Sequence, residues 1–465
     1  MTQWPEMRKS GAAALLGTSL ALCAWAQTPA GAPSVSAAEE PVAVYTDHPR
    51  LFLRPAHLRM LRRERERSTL RWQQFDTFVT QEAPMPESAF AQALHYQIAG
   101  NAAMGRRAVA WALNGGSDLR QLALVFDWCQ DLLDTAQRRA LIARLQQRLN
   151  QTAGDDSIAA VRSRALAAVA LYDELPQIPN RELERIVHTW WEGRMAPALN
   201  GGRDVVPRGD AYPLWELLHV IRDNTNLDLR ESARKFFKEF PIEHLVSYYP
   251  AAFPGPDNDF RVGAMAQSGE PDLQQAALSR AAELAMVAYD NNAQESQYLQ
   301  GWLMHDNFML RGAFGAPYEF LWANPYQPGL SYGHVPLIFH SETFGRLFVR
   351  SSWDDTADWF GYFDGVAQLF RDGRRLAVNL KAPVPPLSLD SAILAWGSET
   401  PNLRVHLEPG QEALILVGLQ PSRTYQVEVD DEEVFEEATD PGGILLVELP
   451  HGLEIGVRVR PAPGP

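Results

Sequence analysis

Cysteine is nearly absent. The 465 residues hold only Cys23 and Cys129, which excludes a disulfide scaffold. Positive charge is in deficit, with 42 Lys and Arg against 57 Asp and Glu for a net charge of −15. A general nucleic-acid binder would need a basic footprint, so that class is set aside. An acidic substrate stays open, because a local Arg-rich cleft can sit on an acidic protein. Beyond the first 26 residues no apolar run is long enough to span a membrane. No fixed-period repeat recurs, which argues against a sequence-regular solenoid. No His-Glu-x-x-His, Cys-rich zinc pattern, P-loop, Gly-x-Gly-x-x-Gly or Gly-x-Ser-x-Gly is present. No metal ligand set is therefore assigned, and the sequence leaves any cofactor open.

The composition, 46% hydrophobic and 21% charged, is that of a globular protein. The length suggests two or three domains. Aromatics are plentiful, with 13 Trp, 13 Tyr and 20 Phe, which suits both core packing and sugar stacking.

Residues 1–26 read as a secretory signal. Arg8 and Lys9 open it, Ala12 to Ala24 is uncharged and apolar, and Ala24-Trp25-Ala26 fits a cleavage site. The expected location is periplasmic or secreted. The large residue before Cys23 argues against lipid anchoring there. Residues 27–44, rich in Ala, Pro and Ser, read as a flexible lead-in.

From about 57 to 320 the pattern is helical. Segments include 55–67, 69–81, 87–99, 103–114, 117–132, 135–150, 157–173, 180–199, 211–223, 228–239, 273–289 and 294–310. In 117–132, Leu119, Leu122, Ala123 and Phe126 recur at three- and four-residue steps. Asp118 and Asp134 stand near helix starts. Short apolar and aromatic runs then follow from 340 to 380, with Asp-Gly turns at 364–365 and 372–373. Pro383, Pro385 and Pro386 suggest a linker across 381–402. Five strands are expected at 403–407, 412–418, 423–429, 443–449 and 453–460. The acidic stretch from Asp430 to Glu433 suits a solvated turn better than a cation site.

Three patches carry a family resemblance. They are Asp47-His48-Pro49-Arg50-Leu51-Phe52-Leu53-Arg54, then Leu122 to Trp128, then Phe348-Val349-Arg350-Ser351-Ser352-Trp353-Asp354-Asp355 with Trp359 and Gly365. In that order the set, over about 45–366, resembles the heparinase II/III-like polysaccharide lyases. The resemblance implies a multidomain α plus β chain: an incomplete α/α toroid at 45–335, then an antiparallel β-sandwich region. The expected layout continues with a β-domain remnant and Pro-rich linker at 336–400. A small immunoglobulin-like β module follows at 401–465. The resemblance also implies β-elimination on uronic-acid polysaccharides. The chain departs from the family after Gly365, where Val366 to Gly373 holds no His and a catalytic His would be expected.

Elimination needs a group that neutralises the uronate carboxylate, a base and an acid. Tyr can be both base and acid when a cation lowers its pKa. The candidate catalytic residues are Tyr212, His219 and His305. Tyr212, Glu216 and His219 follow at i, i+4 and i+7 on one helix face. Arg203 and Arg208 could hold a carboxylate through forked hydrogen bonds. Glu216, Trp302, Trp322 and Tyr326 complete the substrate-binding candidates. Tyr318 to Tyr332 is expected to be a long aromatic loop, a place where binding function is common. Carboxylates at Asp204, Asp210, Glu216, Asp257, Asp259 and Asp306 leave glycoside hydrolysis open. The expected function is a secreted lyase cleaving a uronic-acid glycan. The alternatives are glycan binding without catalysis and an α/α-barrel hydrolase. The expected partner is a polysaccharide or oligosaccharide, acidic in character.

Overall fold

The computed structural model describes residues 42–175, 177–255, 259–306, 312–411, 413–431, 433–450 and 454–463. The expected signal peptide, Cys23 and most of the lead-in lie outside the described residues, as do Asp257 and residues 307–310 of the expected helix 294–310. The end of the lead-in is packed rather than free: Val42 is buried, and Tyr45 N–H donates to the Asn224 carbonyl at 2.9 Å.

Helices dominate the chain from Pro55 to Trp322, and sheets that are antiparallel except for one parallel pair follow. Buried and half-exposed helices alternate along it. Every residue of Leu119–Trp128 is buried, and so is nearly all of Ala211–Thr225. Thr135–Thr152 instead buries only Leu141, Leu145 and Leu149, one stripe at four-residue steps. The first pattern marks an inner helix and the second an outer one. The apolar recurrence in Leu119–Trp128 marks one face, but the structure buries the whole helix. Its polar members Arg120, Gln121 and Asp127 are buried with partners. Asp118 caps its start by accepting from Gln121 N–H at 2.8 Å, and Asp134 and Gln137 form a capping box on the next helix. Among the described residues no helix is long and apolar enough to cross a membrane.

The sheets stack as three layers. The first is a five-stranded meander of Ile338–Ser341, Arg346–Arg350, Trp359–Phe363, Val366–Arg371 and Arg374–Val378. Asp364-Gly365 and Asp372-Gly373 all have positive φ, the conformation a tight hairpin requires. One face of this sheet carries Phe348, Trp359 and Phe370 toward the helices, where Trp359 Nε1 donates to the Val246 carbonyl at 3.0 Å. Its other face carries Leu347, Val349 and Phe360 toward the middle layer.

The middle layer orders Ile444–Val447, Ala413–Val417, Ala392–Ala395 and Leu387–Ser388, with Ala413–Val417 parallel to Ala392–Ala395. Leu394 and Ile415 face the meander, while Ile393 and Leu416 face the third layer. The third layer orders Asn402–His406, Glu454–Pro461, Thr424–Val429 and Glu433–Ala438, all antiparallel.

Two expectations change here. The stretch 381–402 is not only a linker, because Ala392–Ala395 is a wholly buried strand. A strand covered on both faces has no polar alternation to reveal it. The expected boundary between 400 and 401 therefore falls inside a paired sheet. The acidic strand Glu433–Ala438 was also missed. It is an edge strand, entered through Asp430 and Asp431 at positive φ.

Candidate functional site

The site begins at the first two sequence patches, which meet in space. The Asp127 carboxylate accepts from Arg50 N–H at 3.0 Å and from Leu51 N–H at 2.9 Å, and it also bonds the His48 ring. Trp128 Nε1 donates to the Leu51 carbonyl at 2.9 Å. Arg50 reaches on to the Val169 carbonyl and to Asp173. This clamp leaves Phe52 at φ 62°, a left-handed conformation that a bulky residue adopts only when its surroundings impose it.

Phe52 is one wall of a pocket of about 630 Å³. Its other walls include His57, His219 and Trp322, with Asn291, Asn324 and Gln327 as polar lining. Arg54, Arg59 and Arg222 stand against a single carboxylate, Asp223. The lining is therefore cationic on a chain whose net charge is −15. Phe52 meets Trp322 edge-on at 5.1 Å between centroids, and Trp322 leans over the His219 ring at 4.6 Å. Burial would raise the Asp223 carboxyl, but His219 and Arg222 hold it down at about 2. Burial lowers the His57 pKa below the usual imidazole value, against hydrogen bonds to the Phe52 and Leu321 backbone that raise it.

Behind Trp322 lies a buried charged network. Glu216 accepts from Arg120 Nε at 2.9 Å and Nη2 at 2.6 Å, and it pairs with Arg162. Burial opposes its charge, yet Arg120 and Arg162 hold its pKa at about 2. Tyr212 donates to Glu216 at 2.6 Å while accepting from Trp322 Nε1 at 3.0 Å and Arg120 Nη2 at 3.3 Å. Its oxygen is saturated and only 2% of the residue is exposed. Burial and then Glu216 drive its pKa well above 10, with Arg120 opposing. The expectation was a phenol primed by a nearby cation; Arg120 is that cation, and the Glu216 carboxylate beside it opposes the effect.

The remaining candidates separate. His219 lines the pocket, but its Nε2 stands 2.9 Å from the Ala285 carbonyl and its Nδ1 3.7 Å from Asp223. Both nitrogens thus face protein oxygens. Trp322 is not on a loop; it ends the helix Ala316–Trp322 and is 3% exposed. Only the stretch after it is irregular. Tyr326, between the lining residues Asn324 and Gln327, is 51% exposed, with Arg67 over its ring at 5.5 Å.

Arg208 is fully engaged elsewhere, with Ser279, Ser247, the His244 carbonyl and Glu283. Trp302 is buried beneath Arg280 and against Tyr248. His305 is exposed at the far end of helix Gln294–His305, and Arg203 is exposed with no side-chain bond to a described residue. Of the candidate carboxylates, Asp204 pairs with Arg346 and Asp306 with Arg280.

Sequence reasoning missed His57, Arg54, Arg222 and Asp223 as a group. The signal was present in part. Arg54 closes the first patch, and Asp223 lies at i+4 from His219.

No family model matches the chain. No curated protein matches it either. One solved structure, titled "Glycoside hydrolase", aligns over 90% of this chain and 76% of its own length, at 8% identity and a TM-score of 0.32. At that score the likeness says nothing about chemistry.

Proposed function

We propose that the chain recognises a uronic-acid-containing glycan in the Phe52–Trp322 pocket and cleaves it by β-elimination. The carrying observation is a cationic, Trp-walled pocket on an otherwise acidic protein. The volume of about 630 Å³ suits a small part of a saccharide chain. Arg54 is the neutralising group, since its side chain is 56% exposed and holds Asp223 only at 3.4 Å. The proton-removing group is His57, since both nitrogens of His219, the other imidazole of the lining, face protein oxygens. Hydrolysis by paired carboxylates fits less well. The lining holds one carboxylate, and Arg222 and His219 keep it ionised. The alternation of inner and outer helices supports an α/α toroid around this site, as the family resemblance implies. The layered sheets support a β-sandwich region behind it, with its last strands forming the immunoglobulin-like part.

A second function, glycan binding without cleavage, is favoured by one observation. Tyr212 and His219 have their polar atoms turned to protein partners.

The test is incubation with alginate, pectate, hyaluronan, chondroitin and heparan, read by the absorbance of the unsaturated uronate product. Elimination predicts a rise on at least one polymer. Arg54→Gln is expected to weaken substrate binding roughly ten- to hundredfold, the scale of one charge-assisted hydrogen bond. A flat trace with saturable binding would select the binding function. New reducing ends without unsaturation would select hydrolysis. No binding at all would remove the proposal.

A further inference from the structure

The end of the third sequence patch, from Arg350 to Asp355, plays no part in the pocket. It lies where the meander meets the helices. Arg350 is 3% exposed, yet no carboxylate among the described residues stands within ion-pairing distance of it. Its Nη1 donates to the Tyr248 carbonyl at 2.8 Å and its Nε to the Ser352 carbonyl at 3.2 Å. Neutral carbonyls are its only described acceptors. A buried cation without an ion-pair partner is costly, and a bound carboxylate would offset that cost.

The surroundings fit a sugar. The Trp353 ring lies 4.7 Å from the Arg350 guanidinium carbon. Tyr332 meets Trp353 edge-on at 5.5 Å, and His305 stands 5.3 Å from Tyr332. Trp353 and Tyr332 are both half-buried, and no hydrogen bond of the Tyr332 hydroxyl is described. A second guanidinium, Arg261, is near enough to repel Arg350. Burial first and Arg261 second pull the Arg350 pKa down to about 10, with Asp355 opposing. Arg261 has its own anions, Asp355 at 2.9 Å and Asp306 at 3.6 Å. Arg350 has none.

We infer that Arg350, Tyr332 and Trp353 form a second site, which takes the carboxylate of an acidic sugar on Arg350 and the sugar ring on the two aromatic faces. Helix Gln294–His305 separates it from the pocket. Its 12 residues span about 18 Å, with Asn291 of the pocket before its start and His305 at its end. The inference does not require the pocket to work.

The test is a titration of the full chain, labelled with 5-fluorotryptophan, with glucuronate and with glucose as the uncharged control. The Trp353 and Trp322 signals are assigned from Trp353→Phe and Trp322→Phe. The expected result is a saturable shift of the Trp353 signal with glucuronate and none with glucose, retained in Arg54→Gln. Tyr332→Phe is expected to weaken that response roughly two- to tenfold, the worth of one neutral hydrogen bond. Arg350→Gln should abolish it. Should that variant fail to fold, Tyr332→Phe and the glucose control still decide. A Trp353 signal unmoved by glucuronate overturns the inference whatever Trp322 does. Movement of Trp322 alone leaves only the pocket standing. Movement of Trp353 alone supports the second site without the pocket. Equal responses to glucose and glucuronate would overturn the role of Arg350.

Discussion

Replacing Glu216 with Ala is expected to destabilise the chain by about 3–5 kcal/mol, the cost of stranding a buried charge. The carboxylate is wholly buried and neutralises both Arg120 and Arg162. Its removal leaves Arg120 with Glu87, at 2.8 Å, as its one carboxylate among the described residues, and leaves the Tyr212 hydroxyl without its acceptor. Urea unfolding checks the figure. The double variant Glu216→Leu with Arg120→Met should recover most of the loss, because apolar groups of similar volume need no partners. If the double variant is as unstable as the single one, packing rather than charge sets the cost. The same pair fixes an acid limit. The Glu216 pKa is depressed from the usual 4.5 to about 2. Its contribution is therefore complete above pH 4.5 and is lost as the pH falls toward 2. Asp223, also depressed to about 2, acts in the same direction from 3.8 downward. Glu216→Gln should flatten much of that acid limb.

Removing the Asp127 carboxylate is expected to cost both stability and ligand binding. Asp127→Ala leaves the Arg50 and Leu51 N–H groups buried without acceptors, at about 1–3 kcal/mol each. It also releases the segment that holds Phe52 at positive φ and places Arg54 and His57 on the pocket. The expected result is a lower unfolding midpoint together with loss of uronate binding. Asp127→Asn, which keeps one acceptor oxygen, should lie between. Unchanged binding in Asp127→Ala at a temperature where the variant is folded would show that the clamp does not support the pocket.

Helix positions were legible because the 3.6-residue period and the Asp caps at 118 and 134 are local signals. Hairpins at Asp364-Gly365 and Asp372-Gly373 were legible for the same reason. Ala392–Ala395 was not, since a strand covered on both faces loses the alternation that identifies one, and nearby prolines pointed to a linker. The site was half legible. Helix periodicity put Tyr212, Glu216 and His219 on one face, and the structure keeps Tyr212 and Glu216 together. Periodicity could not say which way the polar atoms would turn. Tyr212 faces inward because Glu216, Arg120 and Trp322 come from three separate elements and converge on it. Arg208 looked like a carboxylate clamp in sequence. In space Glu283, 75 residues away, already holds it. Such long-range pairings leave no trace in local spacing.

The middle sheet has a consequence for how the chain holds together. Ala413–Val417 is buried along its whole length, with the meander on one side and the third layer on the other. Water reaches its amides only when an outer layer departs. Exchange of those hydrogens would therefore be among the slowest in the chain and would report the opening of the stack as a unit. Trimming the chain at residue 400 would uncover the apolar flank of Ala392–Ala395 and leave its backbone seeking a new partner. The last 65 residues are thus less an appendage than the far side of a wall whose near side faces the helices.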